Sequence, residues 1–87
     1  MRPEAQAIVD RCKEFVLAMG RVETALGSIG TALTKEERAD VVRIVLEWLG
    51  TDEVQGAYTR EIARELLGQM SAAGMYADYR GSTDYIQ

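Results

Sequence analysis

The segment Thr34–Gly50, TKEERADVVRIVLEWLG, constrains this chain more than any other. Thr34 with Glu37 three residues on is the pattern of a capping box, in which side chains and backbone at a helix start satisfy one another. Gly50 stands where a left-handed helix stop would fall. Between these signals Val41, Val42, Ile44, Val45, Leu46, Trp48 and Leu49 leave little polar surface in the last two turns. The β-branched residues among them have strand character. The two end signals, the placing of Asp40 and Arg43 to pair along a helix, and the want of a second strand segment favour a helix over about 35–49. A helix this apolar needs cover on more than one side. The helices before and after it are expected to supply that cover, with a second subunit as a further source.

The first segment carries the strongest periodicity. Ala5, Ile8, Cys12, Phe15, Met19, Val22, Leu26, Ile29 and Leu33 follow one another in alternating steps of three and four, the a/d seam of a packed helix. Val9 and Val16 widen its lower half. Pro3 and Glu4 suit a first helical turn. Gly20, Gly27 and Gly30 weaken the upper half by roughly 1 kcal/mol each. The sequence therefore predicts a long helix over about 3–26 with an irregular link to Thr34; the alternative is one helix to about 31, its glycines admitting another backbone.

A third helix is expected over about 52–73. Thr51 is read as its cap, with Asp52 and Glu53 in the first turn. Gly56 softens that turn, and Thr59 offers a second cap. Val54, Tyr58, Ile62, Leu66 and Met70 step by four as the inward row, while Arg60, Glu61, Arg64 and Glu65 read as a solvated outer face. Gly74 is a natural stop. The expected architecture is all-α: a helical domain of three helices over 1–74, followed by a tail, 75–87, that lies on its own domain or on a neighbouring chain. Tyr76 and Tyr79 share a face in that tail.

At 87 residues the chain buries only about 60–65% of its unfolded surface, so association would add usefully to its stability. The apolar faces of the first two helices exceed what one short third helix covers, which favours a homodimer. Ten basic against fourteen acidic residues give a net charge of −4 with no basic stripe, which weighs against nucleic acid. One cysteine makes no internal disulfide and fits a reducing, cytoplasmic setting. Apolar runs are too short to span a membrane, and the N-terminus lacks the build of a signal peptide.

The chain has no histidine, which removes the usual neutral-pH base, the commonest zinc ligand and every Cys–His or Ser–His pair. Cys12 on the seam reads as a small buried hydrophobe; in a parallel pairing of first helices it would face its twin. Glu36, Glu37 and Asp40 suit the positive end of a helix dipole. Glu61 and Glu65, four residues apart, have metal-pair spacing, but Arg60 and Arg64 beside them favour ion pairing. No glycine pattern forms a phosphate loop. Neither catalysis nor a cofactor nor a metal is expected.

One stretch, Thr59–Tyr79, TREIARELLGQMSAAGMYADY, resembles the helix-turn-helix of bacterial regulators. The resemblance implies a first helix holding Ile62, Ala63 and Leu66, a turn at Gly68, and a reading helix capped by Ser71. Gln69 and Arg80 alone would then face bases, where Arg, Lys, Asn and Gln are needed. The other features suit protein binding. Trp48, Tyr76, Tyr79 and Tyr85 are of the types enriched at interface hot spots, and Asp52, Glu53, Glu61 and Glu65 offer charge to a basic surface. The expected function is a small non-enzymatic protein-binding module, a regulator or inhibitor docking on a larger macromolecular complex, as phage-encoded anti-defence proteins do. A degenerate helix-turn-helix DNA regulator is the alternative.

Overall fold

The computed structural model describes residues 1–29 and 32–81, except for the side chains of Ser28 and Ile29. The fold is all-α. Helix α1 spans Pro3–Leu17, the four-residue α2 spans Leu26–Ile29, α3 spans Lys35–Leu49 and α4 spans Ala57–Ala72. No strand occurs among the described residues.

The capping box predicted for α3 is formed. The Glu37 amide donates to Thr34 Oγ1 at 3.1 Å, and the Thr34 amide donates to Glu37 Oε1 at 2.8 Å. Arg2 reaches across from the start of α1 and donates to the same carboxylate through Nε and Nη2. At the other end of these two helices the Lys13 ammonium lies 5.7 Å from the Trp48 ring centroid. Both contacts join like ends, so α1 and α3 run parallel. The chain turns at 50–56, and α4 returns antiparallel to them. The link from α1 descends beside α4. Gly20 meets Ile62, Thr24 Oγ1 donates to Gln69 Oε1, and α2 packs on α4.

The seam residues Ala5, Ile8, Cys12 and Phe15 are buried, with Val9 and Val16 beside them. Val41, Val42, Val45 and Leu46 of α3 and Ala63, Leu66 and Met70 of α4 complete the core. Each large aliphatic side chain among them contributes about 1.5–3 kcal/mol by leaving water.

Four boundary expectations are corrected. The first helix ends at Leu17, neither near 26 nor near 31. The Gly20 amide donates to Phe15 O and the Met19 amide to Val16 O, the paired bonds of a Schellman stop. Beyond it the seam residue Met19 turns to solvent, contrary to the spacing, but Leu26 and Leu33 are buried and Val22 half-buried, because the folded link lays these residues on α4 and the core. Gly50 ends α3 without a left-handed backbone (φ −85°). Instead Thr51 closes the helix, its hydroxyl donating to Trp48 O at 2.7 Å and its amide to the same oxygen at 3.0 Å. Thr51 is thereby spent on α3 and does not cap α4. That helix starts five residues later than expected, after Gly56 at φ 123°, and Thr59 lies within it, donating to Gln55 O.

Gly74 stops α4 as predicted, at φ 75°, its amide bonded to Ser71 O while Met75 bonds to Met70 O. The described part of the tail lies on its own domain. Met75 is fully buried, and Asp78 approaches Arg38 at 3.9 Å. The premise for a second subunit also changes, since Val45 (0% exposed) and Leu49 (7%) are sheltered within one chain.

Candidate functional site

The structure distributes the predicted binding residues over separate places. Trp48, Asp52 and Glu53 share one corner, where α3 ends. Trp48 is buried against the core edge and its indole Nε1 donates to Glu53 Oε2 at 3.0 Å. With Lys13 above the ring, the tryptophan is clasped by its own domain. Asp52, exposed beside it, accepts a hydrogen bond from Gln55 at 3.1 Å. A groove of about 570 Å³ opens next to this corner, lined by Leu49, Val54, Thr59, Arg60, Glu61 and Arg64 among others.

Tyr76 and Tyr79 pack on the core elsewhere, their ring centroids 6.3 Å apart and tilted by 38°. The tail that carries them is tied to the start of α3. Arg38 donates to Leu33 O at 2.7 Å as well as approaching Asp78. Burial, and secondarily Tyr79, pushes the Tyr76 hydroxyl up to about 12. Its oxygen is buried and has no hydrogen-bond partner among the described residues. Tyr85 lies outside the described residues. Glu61 and Glu65 are exposed on α4, and among the described residues no ion pair joins them to Arg60 or Arg64, contrary to the pairing expected. Glu65 borders a different groove, shared with Gln69 and the link after α1. No group of three acids or thiols among the described residues is placed to hold a metal ion.

The helix-turn-helix resemblance fails on geometry. Helix α4 runs unbroken through Gly68 and Ser71, so no turn separates two helices there. Residues 73–78 form turns, and no reading helix follows among the described residues. The apolar contacts of Leu66 and Met70 with the core run past Gly68 and outweigh its weak propensity. No described helix is long and apolar enough to cross a membrane.

What the sequence reading missed is where large apolar side chains stay outside. Tyr58 is 75% exposed, Leu17 57% and Met19 41%; apart from Met1 (58%) at the start of the chain, the other large apolar residues described are at least partly covered. Tyr58 was expected in the inward row of the third helix. Tyr58 lies in the first turn of α4 and is turned to solvent, although Val54 before it and Ile62 after it pack against the core. Leu17 did carry a signal. It sits between Phe15 and Met19 on the back of the seam, where an outward residue of a helix is normally polar. These three residues lie at one end of the bundle, since Gly20, just past Met19, meets Ile62, one turn beyond Tyr58. A Cβ at Gly20 would stand 3.5 Å from Ile62 Cδ1.

Compared with protein-family models, with curated proteins and with solved structures, the chain matches none of them.

Proposed function

We propose that this protein is a small non-enzymatic module that binds another protein and acts as a regulator or inhibitor by docking on a larger complex. The observation that carries the reading is the exposure of Leu17, Met19 and Tyr58 at one end of a bundle whose core is otherwise closed. Exposed apolar residues gathered at one end, tyrosine and methionine among them, are characteristic of interaction surfaces. Of the residues singled out in the sequence, Asp52, Glu53 and Glu61 border this end, and Trp48 lies at the end of α3 held by Glu53 and Lys13. Tyr76 and Tyr79 are assigned instead to holding the tail on the domain. A cytoplasmic setting accords with the single unpaired thiol.

The test is affinity capture from the cells that encode the protein, comparing the natural chain with Leu17→Ser/Tyr58→Ser. Both side chains are exposed, so the variant should keep its helical circular dichroism and melting temperature. A partner captured by the natural chain and lost by the folded variant supports the reading. Identical captured sets from the two proteins remove it.

A further inference from the structure

From the charge around this end we infer that the docking partner is a basic amphipathic protein segment, one that presents apolar side chains flanked by Lys or Arg; the inference rests on the docking face proposed above. The segments 14–19 and 47–58 build the end of the bundle and hold Leu17, Met19 and Tyr58. They contain Glu14, Glu47, Asp52 and Glu53 and no lysine or arginine. The chain as a whole has 14 acids and 10 bases, so removing these four leaves ten of each. Within these two segments, then, the exposed apolar residues are accompanied by carboxylates and by no base. All four carboxylates are exposed, and neither α1 nor α3 carries a basic residue in its last turn, where the dipole adds partial negative charge.

Arg43 pairs with Glu47 at 3.5 Å and offsets it, Lys13 is held over Trp48, and Arg60 and Arg64 line the groove toward α3, so the unmatched charge of this end rests on Glu14, Asp52 and Glu53, none of which has an ion-pair partner among the described residues. A second copy docked through the same end would bring two sets of like charges together, which disfavours that occupant. Anionic lipid and nucleic acid are disfavoured for the same reason. A basic segment with an apolar face satisfies both halves of the surface.

The test is a two-dimensional amide NMR titration of the full chain with three synthetic peptides of about 18 residues, long enough for several turns of amphipathic helix. One alternates a leucine face with lysines, one replaces the lysines by glutamates, and one replaces the leucines by serines. The leucine–lysine peptide should shift amides within 14–19 and 47–58, and bind roughly fivefold more weakly when salt rises from about 50 to about 300 mM. Glu14→Gln/Asp52→Asn should weaken it severalfold, and Leu17→Ser/Tyr58→Ser likewise. Equal binding of the leucine–glutamate peptide at those amides overturns the basic character of the partner while leaving the docking face standing. Equal binding of the serine–lysine peptide overturns the apolar requirement. Shifts confined to other parts of the molecule, or none with any peptide, overturn both the inference and the docking face.

Discussion

Two titratable residues show how burial, rather than reactivity, governs the side chains inside this protein. Cys12 is fully buried on the α1 seam, and desolvation pushes its thiol up to about 12 from an ordinary 9.0. The thiolate is the reactive form, so the folded protein should resist iodoacetamide at pH 8 and label only in denaturant, at a rate at least ~100-fold higher. Rapid labelling of the native state would show that the seam opens there. The raised value also has a sign in stability. Folding holds the thiol neutral, so this contribution is constant below the unfolded value near 9 and is lost as pH climbs toward about 12. Tyr76 acts in the same direction, its hydroxyl also displaced upward by burial. Because that hydroxyl is buried without a described partner, Tyr76→Phe removes an unsatisfied group and keeps the ring packing. Its unfolding free energy should be unchanged or higher by about 0.5–1 kcal/mol, measured by urea titration, and a loss above about 1 kcal/mol would show that the hydroxyl is bonded.

Helices α1, α3 and α4 are each ended by a local device, and the two Schellman stops differ in one respect. At the end of α4 the left-handed position is Gly74 (φ 75°), but at the end of α1 it is Met19 (φ 56°). A side chain there costs about 1–2 kcal/mol, partly offset in a glycine variant by greater freedom of the unfolded chain. Met19→Gly should therefore stabilise the protein by about 0.5 kcal/mol, read as a raised urea midpoint; a lowered one would mean that the Met19 side chain contributes packing. At the start of α3 the hydrogen bonds from Arg2 and then from Thr34 hold the Glu37 carboxyl down to about 2. This stability is present above the ordinary carboxylate value of 4.5 and is lost as pH falls toward 2. Glu37→Gln should thus melt lower than the natural chain at neutral pH, with the gap closing near pH 2. A gap that persists in acid would mean that the charge is idle. The α3 box and the Gly74 stop were legible in the sequence because capping acts over three or four neighbouring residues. The end of α1 was not legible, because the three-and-four spacing continues through Leu26 and Leu33 although a folded link, not a helix, delivers them to the core. Nor was the start of α4, since Thr51 carries the chemistry of a cap and spends it backwards on Trp48. Tyr58 was hidden for a different reason: a row stepping by four drifts by about 40° per step around a helix, so the row that is buried at Leu66 and Met70 has turned to solvent by Tyr58.

Across the whole molecule, α1 packs against both α3 and α4, and Leu26, Leu33 and Met75 from the link and the tail join them, so the core side chains are buried within the single chain. Leu46, Leu66, Ile8 and Met70 are all 0% exposed in the single chain. Truncating Leu46 to alanine should accordingly cost about 2–5 kcal/mol, whereas Leu17→Ser, at a site outside the core, should change stability by less than about 0.5 kcal/mol. Such a contrast separates the residues that hold the bundle from those left at its surface. It also bears on association. If a second subunit completed the core, folding would be coupled to dimerisation and the melting temperature would rise with protein concentration by mass action. With the core closed inside one chain, the melting temperature should stay constant over a ~100-fold range of concentration, measured by scanning calorimetry at the high end and by circular dichroism at the low end. A rise across that range, abolished by Leu17→Ser, would mean that the apolar end is buried by another copy, and that the four carboxylates around it are tolerated there rather than reserved for a basic partner.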